Sequence, residues 1–415
     1  MAKVFSLEGK SLKLDTAADI EKHIQPLQDD ASVEEVRFQG NTLGVEACAA
    51  LAKVLETKKS IRNANLADIF TSRLLSEIPP SLSSLLTASL SLPELSTINL
   101  SDNAFGLNTV EPLRPFLSQH VPLQHLILNN NGLGPAAGTL VAEALEQLAQ
   151  RKAEKRKSAG EASNVPDLET VVCGRNRLEA GSMAAWVKAY GANTGVRHIR
   201  MVQNGIRQEG IVALVRHGLS RCSKLETLDL QDNTFTAVGS KALADVIAQG
   251  SWPELKELGV GDCLLSARGG VAVLTALAGG KCPKLEVLRL QYNEIDAQGL
   301  KVLADGLHAM PALRKVELNG NKFPEEDPAI EKIRETLDER RETAGEDEDE
   351  ERWGLDELDD LEEEDSDEEE DEEEQDDEQA HIVRDAEAAE DQPVAAEKDK
   401  DVDELASTLG KTEIK

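Results

Sequence analysis

Six residues have the types and spacing to do chemistry: Arg73, Asp102, the adjacent pair Asn130 and Asn131, and the pair Arg175 and Arg177. They offer amide, carboxylate and guanidinium hydrogen-bonding groups and no reactive nucleophile. No HExxH, GxSxG or phosphate-cradling GxxxxGK[ST] motif and no kinase-type set occurs. His23, His120, His125, His198, His217, His308 and His381 do not cluster, so nucleotide hydrolysis by this chain alone is not expected. The abundant carboxylates are read as solvated charge, and the candidates are read as contact residues of an interaction surface.

What must position them is a repeat. Leu123 to Gly134, LQHLILNNNGLG, has the pattern LxxLxLxxNxLG, and related frames begin at Val33, Ile61, Leu95, Leu168, Val196, Leu225, Leu255, Leu285 and Leu313. This is the pattern of a leucine-rich repeat. Alternation puts Leu126 and Leu128 on the core face of a short strand and Gln124, Ile127 and Asn129 on or near the other. Asn131 then ends the strand, where an inward amide can satisfy turn N–H and C=O groups. Asn103, Asn131, Asn176, Asn204, Asn233, Asn293 and Asn321 are therefore assigned to a buried ladder. Asn130, one residue earlier, is expected to face outward, on a rim shared with Arg73, Asp102, Arg175 and Arg177.

Successive frames are 28, 34, 28, 45, 28, 29, 30, 30 and 28 residues apart, enough for a helix in every repeat. After Thr236, expected as an N-cap, Val238, Ala242, Leu243, Val246 and Ile247 recur at helical spacing, and Gly250 offers a stop. The fold class is α/β: a leucine-rich-repeat solenoid spanning 1–341, curved into a horseshoe with parallel strands on the concave face and helices on the convex face. Leu12 and Leu14 are expected to form the starting edge strand. The helix Ala329–Arg340, with Ile330, Ile333 and Leu337 on one face, is expected to cap the other end. Of the two long spacings, one places Arg73 in an extended loop. The other holds RKAEKRKSAGEASNVPD, 151–167, read as a basic and then flexible insertion, with a solvated helix extension favoured over a contact role.

Aromatics are only 3% of the 415 residues, so the core must be aliphatic, as leucine repeats require. The formal net charge of -33 is concentrated: 25 of the 33 residues from Glu346 to Glu378 are acidic. Such a tract, taken as 342–380, cannot offset its ordering entropy by burial and is expected to be disordered. Trp353, Leu355, Leu358 and Leu361 within it could dock transiently, and 381–415 could end in a short helix. Cys48, Cys173, Cys222, Cys263 and Cys282 lack paired spacing, so neither a metal site nor a disulfide framework is implied. Cys173 replaces a core leucine and Cys263 a ladder asparagine. Without an apolar leader or an 18-residue apolar run, a soluble, intracellular protein is expected, with no nucleic-acid partner and no membrane insertion.

The words SLEGKSLKLD, DIFTSR, LSDNAFG, NNNGLGP, CGRNRLE, MVQNGIR, DCLLSARG and LRLQYNEI, followed by an acidic tail with LDELDD, closely resemble the GTPase-activating proteins for Ran. The resemblance runs from Phe5 to the tail and fits a short form without the SUMO-acceptor C-terminal domain of longer relatives. It implies a GTPase activator in nucleocytoplasmic transport that needs no cofactor of its own, GTP and Mg²⁺ being carried by the partner. It further implies that Asn130 lies beside the catalytic glutamine of Ran, and that Arg73 supports the interface without acting as an arginine finger. Asp102, Arg175 and Arg177 match rim positions that touch the switch regions. Leu75 departs from the family pattern, in which a basic residue is expected two places after the arginine. The implied partner is Ran-GTP, alone or with a Ran-binding protein, met by a monomer in the cytoplasm, up to the outer face of the nuclear envelope. The competing reading is an acidic-tailed leucine-rich-repeat histone chaperone or protein-binding scaffold. A third, resembling ribonuclease inhibitor, would require many more cysteines.

Overall fold

Every strand of the repeat is three residues or fewer, because its middle side chain and the leucine two residues later are all that the core requires before the chain turns outward. The computed structural model describes residues 2–160, 164–345 and 352–362. Among these, twelve parallel strands form one sheet in chain order, from Val4–Ser6 at one edge to Gly354–Leu355 at the other. Pairing has no stagger: Ile98, Leu126, Val171 and Ile199 lie side by side, all buried. Equivalent frame positions therefore form straight rows across the sheet.

Helices such as Val45–Leu55, Ile78–Leu90, Thr236–Ala248 and Ser266–Ala278 cover the other face. Packed helices need roughly 8–10 Å between axes whereas strands sit about 4.8 Å apart, so the stack must curve with the strands inside. In Thr236–Ala248, Ala242, Leu243, Val246 and Ile247 are buried and Val238 is half-buried. Gly250, at φ 73°, follows the helix end. Thr236 is not the expected N-cap. It is the first helical residue; its hydroxyl oxygen accepts from the Val238 N–H at 3.4 Å while the hydroxyl donates to Gln208 Oε1 of the neighbouring repeat at 2.6 Å.

The buried amides form the ladder. Asn131 Oδ1 accepts from the Asn103 backbone N–H at 2.8 Å, and its Nδ2 donates to the Leu100 and Leu128 carbonyls, both at 3.1 Å. Asn176, Asn204 and Asn233 continue the pattern, and Asn321 serves Asn293 in the same way. Asn41 belongs to it as well, donating to the Leu7 and Phe38 carbonyls and accepting from Leu12 N. At Cys263 the thiol stands in the amide's place, donating to the Gly261 carbonyl, and burial pushes it up to about 12.

Both ends differ from expectation. The first edge is Val4–Ser6, whereas Lys13–Leu14 pairs with Thr42–Leu43 in a separate two-stranded sheet. The Leu12 N–H is drawn there by Asn41. At the other end, the helix Pro328–Ala344 does bury Ile330, Ile333 and Leu337, but the sheet continues past it. Gly354–Leu355 pairs with Lys315–Glu317, Leu358 is buried, and the Asp356 carboxylate accepts from Leu318 N and Asn319 N at 2.7 and 3.0 Å. Part of the acidic tract is thus an ordered edge cover, which satisfies backbone groups that a bare last strand would expose. The expected disorder of 346–351 and 363–380, and the short helix in 381–415, lie outside the described residues.

The insertion begins as the expected helix extension. Gly134–Ala159 is one helix of 26 residues, so the basic segment extends it. Most of the extension is exposed, as expected of a solvated helix, but two side chains pin it back: buried Lys152 donates to the Leu123 and Pro166 carbonyls at 2.6 and 2.9 Å, and Arg156 pairs with Asp167 at 2.6 Å. No helix among the described residues is long and apolar enough to cross a membrane.

Asn131→Ala is expected to cost about 2–4 kcal/mol in denaturant unfolding, because several buried backbone groups lose their partner at once. Asn130→Ala, which puts a less tolerant residue at φ 52° but leaves no buried group unpaired, should cost about 1 kcal/mol or less; the reverse order would shift the register by one residue. A second test concerns pH. Burial, helped by nearby Arg156, pushes the Lys152 ammonium down to about 7 from 10.5. Between these values the unfolded chain binds the extra proton, so stability rises with pH across the interval and this contribution is lost as pH falls through about 7. Lys152→Met should flatten that slope in unfolding midpoints measured from pH 7 upward, and an unchanged slope would assign it to other groups.

Candidate functional site

The rim is built by backbone conformation. In all ten frames, from Gly40 to Gly320, the residue before the ladder position has a positive φ, including Asp102 at 61°, Asn130 at 52° and Arg175 at 57°. This left-handed kink sends one side chain inward and its predecessor outward. Asparagine and aspartate tolerate it better than most non-glycine residues, through local hydrogen bonding. Asn131 is accordingly buried and Asn130 exposed.

Asn130 is nonetheless held. Its backbone N–H donates to the Gly174 carbonyl at 2.9 Å, and its Nδ2 donates to Asp102 Oδ1 at 2.8 Å. Asp102 is fixed in turn by its own N–H on the Asn129 carbonyl at 3.0 Å. Beneath them Asn129 Oδ1 accepts from Gly174 N at 2.7 Å, and Asn129 N donates to Ser101 Oγ. A carboxylate accepts only, so the Asp102 contact sets the amide's orientation: Nδ2 toward Asp102, Oδ1 toward solvent. Among the described residues no donor reaches Asn130 Oδ1. The group presented is therefore a preoriented amide acceptor.

Arg175 and Arg177 are exposed on the next repeat, both at positive φ. Arg177, Glu179, Gln203, Asp232, Asp262 and Leu264 line a recess of about 410 Å³. Asp232 is raised above the ordinary carboxylate range by partial burial and by Asp262, against the opposing effect of Arg175. Asp102, Asn130, Arg175 and Arg177 thus share one rim on consecutive repeats.

Arg73 does not project with them. Its side chain is only 7% exposed, and its Nη1 pairs with Asp15 at 2.5 Å while Nη2 donates to the Thr42 carbonyl and Nε to Thr42 Oγ1. It clamps the loop of 70–77 to the first repeats. The sequence offered no sign of Asp15 as its partner, 58 residues away. The 28-residue frame spacing places Asp102 and Asn130 at one row position, but only the stacked structure shows that they bond.

A family model described as leucine-rich repeat matches residues 221–244 and 281–304. Ran GTPase-activating protein 1 of Saccharomyces cerevisiae is 40% identical over 349 residues, covering 81% of this chain and 82% of the yeast protein. This chain belongs to the Ran GTPase-activating protein family. The Drosophila melanogaster member is 32% identical across 77% of this chain and 52% of its own length. Ribonuclease inhibitor of Mus musculus is 26% identical across 72% of this chain and 58% of its own, a likeness of repeat type.

Arg73→Ala is expected to lower unfolding stability by about 1–3 kcal/mol, since it removes the donor from the half-buried Thr42 carbonyl and the partner from Asp15. An exposed contact arginine would lose nearly nothing, so a thermally unchanged Arg73→Ala protein would contradict the clamp.

Proposed function

We propose that this chain activates GTP hydrolysis on Ran, by lending geometry to an active centre that lies wholly on the partner. The observation that carries the proposal is the exposed Asn130 amide, turned by Asp102 so that Oδ1 faces outward on the rim. Such an oxygen can accept from the side-chain amide N–H of the glutamine that orients the attacking water on a GTPase of this type. Holding that glutamine restricts the water it positions. GTP and Mg²⁺ belong to the partner in this reading, and the chain contributes no reactive group.

The burial of Arg73 against Asp15 and Thr42 supports activation without an arginine finger from that position. Its part is to keep the neighbouring loop in place. Asp102, Arg175 and Arg177 supply polar contacts to the switch regions around the glutamine.

Magnitudes decide how the effect is divided. Activation of small GTPases reaches about 10⁵-fold, which is about 7 kcal/mol of barrier. One neutral hydrogen bond yields roughly 0.5–1.5 kcal/mol net. Most of the barrier reduction must then come from ordering the glutamine, the water and the switch together, with Asn130 as the fixed point. The reading carries with it a monomer acting in the cytoplasm, up to the outer face of the nuclear envelope, with or without a Ran-binding protein on the complex.

Single-turnover hydrolysis of GTP on Ran, measured across activator concentrations, separates positioning from binding. Asn130→Ala should lower the saturating rate on the order of 10²-fold while the half-saturating concentration moves less than about threefold. Asp102→Ala should lower it by about tenfold, because the amide is then free to rotate. Equal losses of rate and affinity in Asn130→Ala would contradict the positioning role.

A further inference from the structure

The three most exposed large apolar side chains of the described residues are Leu74, Leu75 and Leu107, at 68%, 59% and 56%. Scattered exposed leucines are ordinary. These three stand on the loops of two consecutive frames, the ones that follow the ladder positions Ile69 and Asn103. The loops adjoin through the ladder, where Asn103 Oδ1 accepts from Ile69 N at 3.0 Å, and through the buried rings of Phe70 and Phe105, whose centroids are 6.3 Å apart. Gly106 lies against the turn of Asn130 itself, since a Cβ there would come within 3.5 Å of the Gly132 carbonyl.

Both loops are braced from within. Arg73, immediately before Leu74, is clamped to Asp15 and Thr42, and the Leu74 N–H donates to Glu77 Oε2 at 2.9 Å. Under Leu107, the Thr109 hydroxyl bonds the Ala104 and Gly106 carbonyls. The backbone is thus ordered while the leucines remain in water, an arrangement that brings folding no burial. A partner covering them would bury apolar area without having to order the loops first. An apolar patch beside a polar, preoriented group is the usual anatomy of a protein interface.

We propose that Leu74, Leu75 and Leu107 form the apolar docking patch of this rim, and that its occupant is the GTP-loaded GTPase whose glutamine meets Asn130. This rests on the function proposed above. It assigns affinity to the leucines and rate to Asn130, and gives Arg73 its role as the brace that presents Leu74 and Leu75.

The test uses the full chain carrying Leu74→Ser with Leu75→Ser, or Leu107→Ser alone, in single-turnover hydrolysis of Ran-bound GTP at low and high salt. The double variant should raise the half-saturating concentration by about tenfold and Leu107→Ser by about threefold, equally at both salt levels, since apolar contact is not screened. Saturating rates should stay within about twofold of the parent and thermal midpoints should not move. Unchanged half-saturation in both variants, with Asn130→Ala still disabling the rate, would overturn the patch and leave the function standing. A saturating rate that falls with half-saturation unchanged would also overturn it. An inactive parent chain would overturn both.

Discussion

The rim and everything on it depend on the asparagine ladder. Each buried amide serves its own turn and the turn of the preceding repeat, as Asn131 does for Leu128 and for Asn103. A turn whose interior polar groups were left unpaired would cost more than the short strand before it could recover. The ladder also imposes a side effect. To bring the amide inward, the residue before it must adopt a left-handed conformation, and that residue is then aimed outward on a backbone that has no freedom to move. Asp102, Asn130, Arg175 and Arg177 occupy this aimed position or flank the ladder residue after it, so rigidity meant for the core is delivered to the surface.

Polar contacts refine that aim. Asp102 and Asn130 are equivalent positions on adjacent repeats, and because pairing has no stagger their side chains meet across the rim. A free amide could present either end to a partner; one bound through Nδ2 to a carboxylate presents its oxygen. Arg73 acts at a greater distance from the chemistry. Its guanidinium joins the loop of the second frame to Thr42 of the first frame and to Asp15 before it, so that loop behaves as part of the solenoid and not as an appendage. The proposed mode of activation needs such stiffness, because slack in the amide would return as freedom of the group it is to hold.

The same economy governs the edges. Basic side chains take carbonyls left at the ends of helices and turns: Lys58 on Gln28 and Asp30, Lys152 on Leu123 and Pro166, Arg340 on Leu307 and Leu313. The last strand is covered by residues of the acidic tract. There an aspartate accepts two strand N–H groups, and leucines at 355, 358 and 361 pack onto the core. A segment that composition marks as unable to fold alone can order when a waiting sheet edge supplies the partners.

How much was legible divides along the range of the interactions. The repeat frame, the strand and helix in each repeat, the inward Asn131 and the outward Asn130 follow from the sequence by itself, since alternation and a fixed period are local and recur ten times. Asn41 was equally readable, standing at the ladder position of VEEVRFQGN. Only the tertiary structure decided that Arg73 turns inward to Asp15, that Asp102 orients Asn130, that Lys152 is buried, and that residues 352–362 close the sheet. Each of these is a pairing between side chains or backbone groups distant in sequence. Periodicity sets which row a residue occupies, but it carries no information about which neighbour satisfies a charge once the rows are stacked.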